Sequence, residues 1–331
     1  MIHTGDCREI ANKIKAGTVD LVLTDPPYGT VKGANLDCWD GQTTDWDDAL
    51  KPDTLFDISD RLLRCGGRAV LFSQEPYTAD LITNSTTNLP FSYRMIWEKN
   101  VHANALNAKD APVNLYEDIT IFTKKHDSNQ IHPLRSYFAN LYGFINATKG
   151  EIIESVGERA DHCFRFNSPQ FSLCTIETYR ALQEKYKIDR LECFKSYEEL
   201  ERADHRFKQS TEPTFNLAKN ERSKSNILKY AKPNDGKHPT QKPVPLLVDL
   251  IQTFSNPGDL VVDLTAGSGS TCVAADRTER RFIGIEKDET YAEIARTRIG
   301  EQPENPQLLR DHAKQSGLES FGKDHIPQQT P

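Results

Sequence analysis

Residues 260–270 have the sequence Leu-Val-Val-Asp-Leu-Thr-Ala-Gly-Ser-Gly-Ser, an apolar run that ends in a glycine-bearing turn. The run predicts a buried strand over residues 260–264, and helical spacing follows over about residues 271–277. A second apolar run, residues 282–285, ends at Glu286. Strand, glycine turn, helix and strand in this order are typical of a parallel sheet with helices on its faces. This stretch therefore predicts an α/β fold.

The glycine turn is suited to a nucleoside cofactor. In doubly wound sheets such a turn admits a ligand to the helix N-terminus, and an acidic residue about 20 positions later accepts from ribose hydroxyls. Glu286 has that position, but a pyrophosphate motif would need a third glycine where the chain has Cys272. S-Adenosylmethionine fits better because it has no phosphate and because its cationic groups favour a carboxylate such as Asp263. A glycine turn without a ligand is the alternative.

A second turn, Asp25-Pro26-Pro27-Tyr28, follows an apolar run over residues 19–23. Two prolines remove two amide donors, so this edge presents two acceptors, the carboxylate of Asp25 and the carbonyl of Pro26. Acceptors that hold both hydrogens of a nucleobase amine pull its nitrogen toward tetrahedral geometry and expose the lone pair to a methyl donor. Tyr28 offers a flat face on which an extruded base stacks. A rigid turn without a chemical role is the alternative.

The chain divides into four predicted segments. Residues 1–125 alternate strand and helix signals, residues 126–231 are a mainly helical insertion, and residues 232–300 return to the α/β pattern. Residues 301–331 contain four prolines and little periodicity, which predicts a flexible tail. In the first segment, helices are predicted at 7–14 and 55–63, and strands at 19–23, 68–72, 93–97 and 119–122. A Gly66-Gly67 stop precedes the second of these strands.

The insertion has two interpretations. Thr148 with Glu151, and Ser196 with Glu199, form capping boxes that predict helix starts. A further helix is predicted at 176–186. With its polar residues at 162–170, the segment resembles a helix-turn-helix unit that reads a major groove. A helical spacer whose core contains Phe164, Phe166, Phe171 and Tyr179 is the alternative.

Net charge is −7, from 41 basic and 48 acidic residues, which excludes a uniformly cationic surface. The charge is uneven, because residues 91–243 sum to +4 between acidic flanks of −6 and −5. Residues 203–243 alone hold nine basic and four acidic residues. This basic run predicts contacts with phosphates. Its candidate DNA-binding residues are Arg206, Lys208, Arg222, Lys224 and Lys229.

The remaining composition indicates a reduced, intracellular protein. Seven scattered cysteines without a CxxC pair predict free thiols and no metal site. The N-terminus lacks a signal peptide pattern, and no apolar run approaches the roughly 18 residues of a membrane span. We therefore expect no membrane partner and a cytoplasmic location, at the nucleoid of a prokaryote or encoded by a phage.

Three ordered motifs resemble the amino-methyltransferases of DNA in their beta arrangement. In that arrangement an Asp-Pro-Pro-Tyr half precedes a target-recognition region and the cofactor half comes last. The motifs are residues 25–28, His-Pro-Thr-Gln-Lys-Pro at 238–243, and residues 263–271 with Gly-Ile-Glu at 284–286. The resemblance covers about residues 1–125 and 225–300. It implies a circularly permuted Rossmann-like methyltransferase sheet with an inserted target-recognition domain.

The resemblance assigns roles residue by residue. It implies that Asp25, Pro26 and Tyr28, with Pro27 between them, handle the target base. Glu286 would bind the ribose, and Asp6, in a shorter match at residues 5–7, would line the adenine side. The methionine part would lie against Asp263, Thr265, Ala266, Gly267, Ser268 and Gly269, and near His238, Thr240 and Lys242. One departure is Leu264-Thr265, where the commonest family form is Pro-Phe, so an aromatic wall beside the cofactor is missing.

An aspartate at position 25 matches the form usual for adenine methylation, whereas cytosine-N4 enzymes more often have serine. The expected reaction is therefore methylation of the N6 amine of a flipped adenine in double-stranded DNA, with cytosine-N4 as the alternative. A methyltransferase of RNA or protein amides, a non-catalytic DNA-binding regulator and a phosphate-nucleotide enzyme are further alternatives. A homodimer and a restriction endonuclease partner are left open by the sequence.

Overall fold

The computed structural model describes residues 1–28, 50–103, 112–126, 131–168, 170–233 and 241–301. The chain forms two compact units, residues 1–126 with 213–331, and residues 127–212. The insertion therefore ends at 212 and not at the predicted 231, because residues 227–229 form a strand of the main sheet. The predicted tail lies outside the described residues, apart from Glu301.

The first unit contains every described strand and six helices among its described residues. Its strands are β1 (Ile2–Thr4), β2 (Val19–Thr24), β3 (Leu63–Ser73), β4 (Phe91–Ala103), β5 (Asn114–Thr123), β6 (Ile227–Lys229), β7 (Leu260–Asp263) and β8 (Arg281–Glu286). Its helices are α1 (Cys7–Ile10), α2 (Pro52–Leu62), α3 (Tyr77–Thr83), α8 (Val244–Phe254), α9 (Ser270–Arg277) and α10 (Glu289–Arg298), where α4 to α7 belong to the second unit. The strand and helix pattern predicted around both turns is confirmed.

The eight strands form one sheet in the order β1-β8-β7-β2-β3-β5-β4-β6. All neighbouring pairs are parallel except the two that contain β5, which runs antiparallel to β3 and to β4. The predicted parallel sheet is thus observed, with β5 as its one antiparallel strand among the described residues. Antiparallel strands need only a short connection, and β4 and β5 follow each other directly in sequence. The circular permutation is visible at the other edge, where the N-terminal β1 pairs with the C-terminal β8.

The predicted stop at Gly66-Gly67 is also wrong, because β3 begins before both glycines. Val19 pairs with Leu63 but Leu21 pairs with Arg68, so the strand bulges between these two contacts. Gly66 adopts φ +75°, a left-handed conformation that glycine accommodates without a Cβ clash. The glycines therefore shape a bulge within the strand.

The sheet is covered on both faces, as the apolar runs predict. Leu21 and Leu23 of β2 pack into one buried cluster with Leu247 and Ile251 of α8. Val22 points the other way and packs into a cluster with helix α2. Full burial of each such aliphatic side chain stabilises the fold by about 1.5–3 kcal/mol. The carboxyl ends of β1, β8, β7, β2 and β3 consequently meet at one edge of a rigid sheet.

The second unit is helical among its described residues. It contains α4 (Leu134–Ile145), α5 (Lys149–Val156), α6 (Ile176–Tyr186) and α7 (Tyr197–Thr211). Both predicted capping boxes are present, at Thr148 and Ser196. Phe164, Phe171 and Tyr179 are buried in its core, as the spacer interpretation predicts. Within the described ranges, every helix of the chain falls short of the length and apolarity that a bilayer span requires.

Candidate active site

The Asp25-Pro26-Pro27-Tyr28 turn begins directly after β2, at the carboxyl edge of the sheet. Asp25 Oδ1 accepts a hydrogen bond of 2.5 Å from the Tyr28 hydroxyl, and Asp25 Oδ2 accepts one from the Lys242 ammonium. The carbonyl of Pro27 accepts a hydrogen bond of 3.1 Å from the Leu50 amide. The turn thus has the acceptor-rich, rigid character predicted from its two prolines.

Burial raises the pKa of Asp25, and the negative charge of Glu117 raises it further. Lys242 and Tyr28 act in the opposite direction, because a positive charge and a donated hydrogen bond both favour the carboxylate. The Asp25 carboxylate is therefore poorly solvated, and the positive charge of Lys242 stabilises its ionised form. Such an environment is typical of functional carboxylates.

The two predicted turns are joined by hydrogen bonds. Thr265 Oγ1 donates to the backbone carbonyl of Asp25 at 2.9 Å, and Thr24 Oγ1 donates to Asp263 Oδ1 at 2.8 Å. These contacts exist because β2 and β7 are adjacent strands of the sheet, although they are far apart in sequence. The structure therefore brings the Asp25-Pro26-Pro27-Tyr28 turn and the glycine turn together at one edge.

Asp263 is only 4% exposed, and burial raises its pKa to about 6. Its Oδ1 also accepts from the Thr265 amide at 3.1 Å. The Asp263 carboxylate is thus already engaged by hydrogen bonds from two threonine residues of the chain. Asp263 therefore shapes the loop, and its role of facing a cationic ligand stays a prediction.

Glu286 lies at the end of β8, where its side chain holds two loops. Its Oε2 accepts from the Gly267 amide at 2.7 Å, and its Oε1 accepts from the Asp288 amide at 2.8 Å. Burial raises the pKa of Glu286. Each carboxylate oxygen has further lone pairs, so the group retains capacity for hydroxyl donors.

The neighbouring loop residues are held by the surrounding chain. Ser268 is buried, and its carbonyl accepts a hydrogen bond of 2.5 Å from Arg298, while Ala266 is 7% exposed and its amide donates to Ile285 at 2.8 Å. Gly269 adopts φ +79°, and a Cβ there would lie 2.7 Å from the Cβ of Ala295. The second glycine of the turn is therefore required by helix packing.

Asp6 follows β1, which pairs with β8, so it lies at the same edge as Glu286. It caps α1 by accepting from the Arg8 amide at 2.8 Å and forms an ion pair with the Arg8 side chain. The hydrogen bond from Arg8 lowers the pKa of Asp6 to about 2. That Asp6 lines the adenine side of a cofactor stays a prediction. His238 and Thr240 lie outside the described residues.

Lys242 is brought to Asp25 and to a second carboxylate, Glu117. Its Nζ lies 3.1 Å from Glu117 Oε2, and Lys99 Nζ lies 2.6 Å from Glu117 Oε1. Sequence reasoning missed Lys99 and Glu117. The available signal was the pair of acids Glu117-Asp118 directly before an apolar strand run, which is unusual for a buried β segment.

The basic run is divided between the two units. Arg206 and Lys208 belong to the second unit, whereas Arg222, Lys224 and Lys229 belong to the first. Lys208 pairs with Asp204, and Lys224, whose side chain is 11% exposed, pairs with Asp249. Lys229 is exposed and lies 3.2 Å from Glu98. The run therefore contains both exposed candidates for phosphate contact and side chains already used in ion pairs.

Known proteins resemble this chain in sequence and in fold. It is 26% identical over 304 residues to the DNA adenine methyltransferase YhdJ of Escherichia coli (strain K12), a match over 90% of this chain and 82% of that protein. YubD of Escherichia coli (strain K12) is 52% identical over 62 residues, 19% of this chain and 27% of that protein. The type II methyltransferase M2.DpnII of Streptococcus pneumoniae is 50% identical over 64 residues, 19% of this chain and 24% of that protein. The chain thus spans about a quarter of the length of these last two relatives.

The fold is shared with a solved structure. The crystal structure of an M1.HpyAVI–SAM complex superposes with a TM-score of 0.50, at 19% identity, over 90% of this chain and 98% of that one. This likeness supports the mixed α/β sheet and its permuted strand order. The N6_N4_Mtase family model, described as DNA methylase, matches residues 19–297, which include both turns. The chain therefore belongs to the N6/N4 DNA methylase family, and S-adenosylmethionine is its cofactor.

Proposed function

We propose that the chain transfers the methyl group of S-adenosylmethionine to the N6 amine of an adenine flipped out of double-stranded DNA. The observation that carries the proposal is the position of Asp25. Its carboxylate stands at the carboxyl end of β2, and its backbone carbonyl is hydrogen-bonded to Thr265 of the glycine turn. A group that binds an amine is thus fixed beside a loop suited to the methyl donor.

The residues of the glycine turn fit the cofactor. Glu286 presents a carboxylate with spare lone pairs at the end of β8, and Asp6 lies at the end of the adjacent β1. The hydrogen bond from the Thr265 amide to the Asp263 carboxylate holds the loop in place. When bound, the cofactor supplies an electrophilic methyl group on a sulfonium centre, whose carbon–sulfur electron pair stays with sulfur as the thioether leaves.

The chain's own residues activate and position the amine. Asp25 and the Pro26 carbonyl accept the two amine hydrogens, which directs the nitrogen lone pair toward the methyl carbon. The Asp25 carboxylate would accept the proton that the amine nitrogen loses once it carries the methyl group supplied by S-adenosylmethionine. Tyr28 stacks on the base and fixes Asp25 through its hydroxyl. Much of the rate comes from this alignment of amine and methyl group.

Adenine is favoured over cytosine by two observations. Position 25 is aspartate, and the relative that matches 90% of the chain is named a DNA adenine methyltransferase. The family model covers N6 and N4 enzymes together, so cytosine-N4 methylation is the second candidate. Exposed basic residues such as Arg206 and Arg222 support duplex DNA as the substrate over a protein amide.

The test is an assay of transfer to defined substrates. The purified full chain is incubated with labelled S-adenosylmethionine and with DNA, RNA or protein in separate reactions, and the modified nucleosides are identified by mass spectrometry. We expect N6-methyladenine from duplex DNA. N4-methylcytosine would reverse the base assignment, and transfer to RNA or protein alone would contradict the proposed substrate. Transfer to none of the three would favour a DNA-binding regulator.

Replacement of Asp25 tests the assigned role directly. We expect Asp25→Ala to lower methylation by at least about 100-fold, the loss typical of a group that acts on the transition state. Cofactor affinity, measured by calorimetry, should change by less than a few fold, because the cofactor contacts assigned above come from other residues. An equal loss of cofactor binding would contradict the role of Asp25 in holding the amine.

A further inference from the structure

Four charged side chains form a chain of ion pairs that leads from the partly exposed Asp25 into the interior. Asp25 pairs with Lys242, Lys242 with Glu117, and Glu117 with Lys99. Glu117, Lys99 and Lys242 are 9%, 8% and 6% exposed, so water does little to solvate them. The negative charges of the two acids balance the positive charges of the two bases. Such a cluster is stable only while every member keeps a partner, because an unpaired charge at this depth is strongly destabilising.

Apolar groups surround the chain of charges. Lys242 Nζ lies 5.1 Å from the ring centre of Phe72, and Lys99 Nζ lies 5.4 Å from that of Trp97. Phe72 and Trp97 are themselves buried in the core of the sheet. Charge interactions are stronger in such surroundings than in water, so the partner that Lys242 takes has a large effect on Asp25.

Both carboxylate oxygens of Asp25 are engaged, one by Tyr28 and one by Lys242. Each oxygen keeps a further lone pair, but a target amine that donates to Asp25 must approach beside the ammonium of Lys242 and share the carboxylate with it. Glu117 Oε2 lies 3.1 Å from that ammonium, close enough for an ion pair. A second carboxylate thus stands within reach of Lys242 and can hold its ammonium more closely when Asp25 takes up a new donor.

We propose that Glu117 is a positioning residue that takes over the Lys242 ammonium when the target amine binds Asp25. The inference rests on the proposed function. In the exchange, Lys242 loses a contact to one carboxylate and strengthens a contact to another, so no charge becomes isolated. Asp25 stays ionised and gains acceptor capacity toward the amine.

The strand direction places Glu117 there. Glu117 is near the beginning of β5, and because β5 is antiparallel to β3 this end lies at the carboxyl edge of the sheet. In a parallel strand the same residue would lie at the opposite edge. The antiparallel strand β5 therefore places Glu117 at the site, on the side of Asp25 that is opposite the glycine turn.

Removal of the charge has a defined effect on pH dependence. Among the residues that the structure describes, the charged and titratable groups with the largest influence on Asp25 include Lys242, Glu117 and Tyr28, and Asp263 also interacts with it. Asp25 works as a carboxylate, so activity rises with pH through its pKa. The charge of Glu117 raises that pKa, and its removal should lower it. The acid limb of the activity profile should then move toward lower pH while the maximal rate falls.

The experiment compares Glu117→Gln with variants of matched chemistry. Because Glu117→Gln leaves the buried Lys99 without its carboxylate, the double variant Lys99→Met with Glu117→Gln is measured beside it. Glu117→Asp keeps the charge. Glu293→Gln is the control, since Glu293 is also a buried acid in an ion pair, 2.8 Å from Arg296, outside this cluster.

We expect Glu117→Gln and the double variant to lower kcat/KM for DNA by about 10- to 100-fold, as replacement of outer-shell partners does. Their acid limb should move to lower pH by about one unit, the effect of one neighbouring charge. Glu117→Asp should recover part of the rate, and Glu293→Gln should keep the limb of the wild type. The dissociation constant of S-adenosylmethionine should change by less than a few fold in all four.

Three results would overturn the inference: a wild-type rate in the double variant, an acid limb that stays in place while the rate falls, or a cofactor affinity that falls as much as kcat/KM. The last would mean that Glu117 holds Lys242 for the cofactor. Failure of the proposed function is recognised separately, because the wild-type protein would then show no transfer to duplex DNA at any pH.

Discussion

At the scale of single residues, two aspartates of the site differ in what they contact. Asp25 is paired with an ammonium and a phenol, whereas Asp263 receives hydrogen bonds from a threonine hydroxyl and a backbone amide. The first environment keeps a charged acceptor ready for a substrate. The second holds a loop in place. Sequence distance and residue type do not distinguish them, but their partners do.

The raised pKa of Asp263 predicts a pH-dependent stability. Its pKa rises from 3.8 to about 6 on folding, so the folded state binds more protons between these values and loses stability as pH increases through them. Asp263→Asn removes this loss, which amounts to about 3 kcal/mol at most. We expect thermal melts to favour the variant progressively from about pH 4 to pH 7, relative to the wild type. A constant difference in melting temperature would contradict the prediction.

Tyr28 is expected to act through both its hydroxyl and its ring. Tyr28→Phe removes the donor to Asp25 and should lower kcat/KM by about 10-fold, since a hydrogen bond to a charged group contributes about 1.5–3 kcal/mol. Tyr28→Leu should lower it further, because the stacking face is lost as well. Steady-state kinetics on a duplex oligonucleotide would measure both. Equal rates for the two variants would show that the ring has no part in base binding.

At the scale of elements, the glycine turn is constrained by helix packing as much as by its ligand. Gly269 allows α9 to begin against α10, where only hydrogen fits beside Ala295. Gly284 has the same role opposite Cys272, since a Cβ at 284 would lie 2.7 Å from the Cys272 sulfur. A third glycine on helix α9 would allow the helix to approach the neighbouring strand closely. In this chain Gly284 on strand β8 allows that approach instead.

Gly269→Ala should destabilise the protein by about 1–3 kcal/mol, through overpacking and an unfavourable left-handed conformation. Ala295→Gly in the same chain should restore part of this loss, because it removes the nearer of the two clashing carbons. Urea unfolding of the two single variants and the double variant gives the coupling. Strict additivity would show that the contact with Ala295 does not limit this turn.

At the scale of the whole molecule, the basic run is distributed over two compact units, and its members have different surroundings. Arg206 is exposed on α7 of the second unit, whereas Lys224 is largely buried in an ion pair with Asp249 of the first. Position in one charged stretch of sequence therefore does not give these residues one role.

This difference predicts opposite outcomes for two substitutions. Arg206→Glu should raise KM for DNA and reduce the slope of log affinity against log salt concentration by about one, the change for one lost phosphate contact. Lys224→Gln should lower the melting temperature, because Asp249 loses its partner, and leave the salt slope unchanged. Salt titrations of DNA binding and thermal melts distinguish the two. A reduced salt slope in Lys224→Gln would contradict the assignment.

The sequence by itself determined the α/β class, the two turns, the capping boxes and the helical character of the insertion. These depend on local physics: apolar periodicity, the missing amide donors of Pro26 and Pro27, and side-chain caps such as Thr148. The family resemblance added the order of the two halves, which stays a prediction, whereas the match over residues 19–297 confirmed the family itself.

Only the tertiary structure decided how distant residues combine. The direction of β5 depends on pairing with β3 and β4, and that direction alone brings Glu117 to Lys242 and Asp25. The partner of Lys242, the ion pair of Lys224 and the contact of Gly269 with Ala295 are likewise long-range. A sequence pattern reports which residues are buried or exposed. The choice of partner for a buried charge is made by packing, because only packing determines which opposite charge lies within reach.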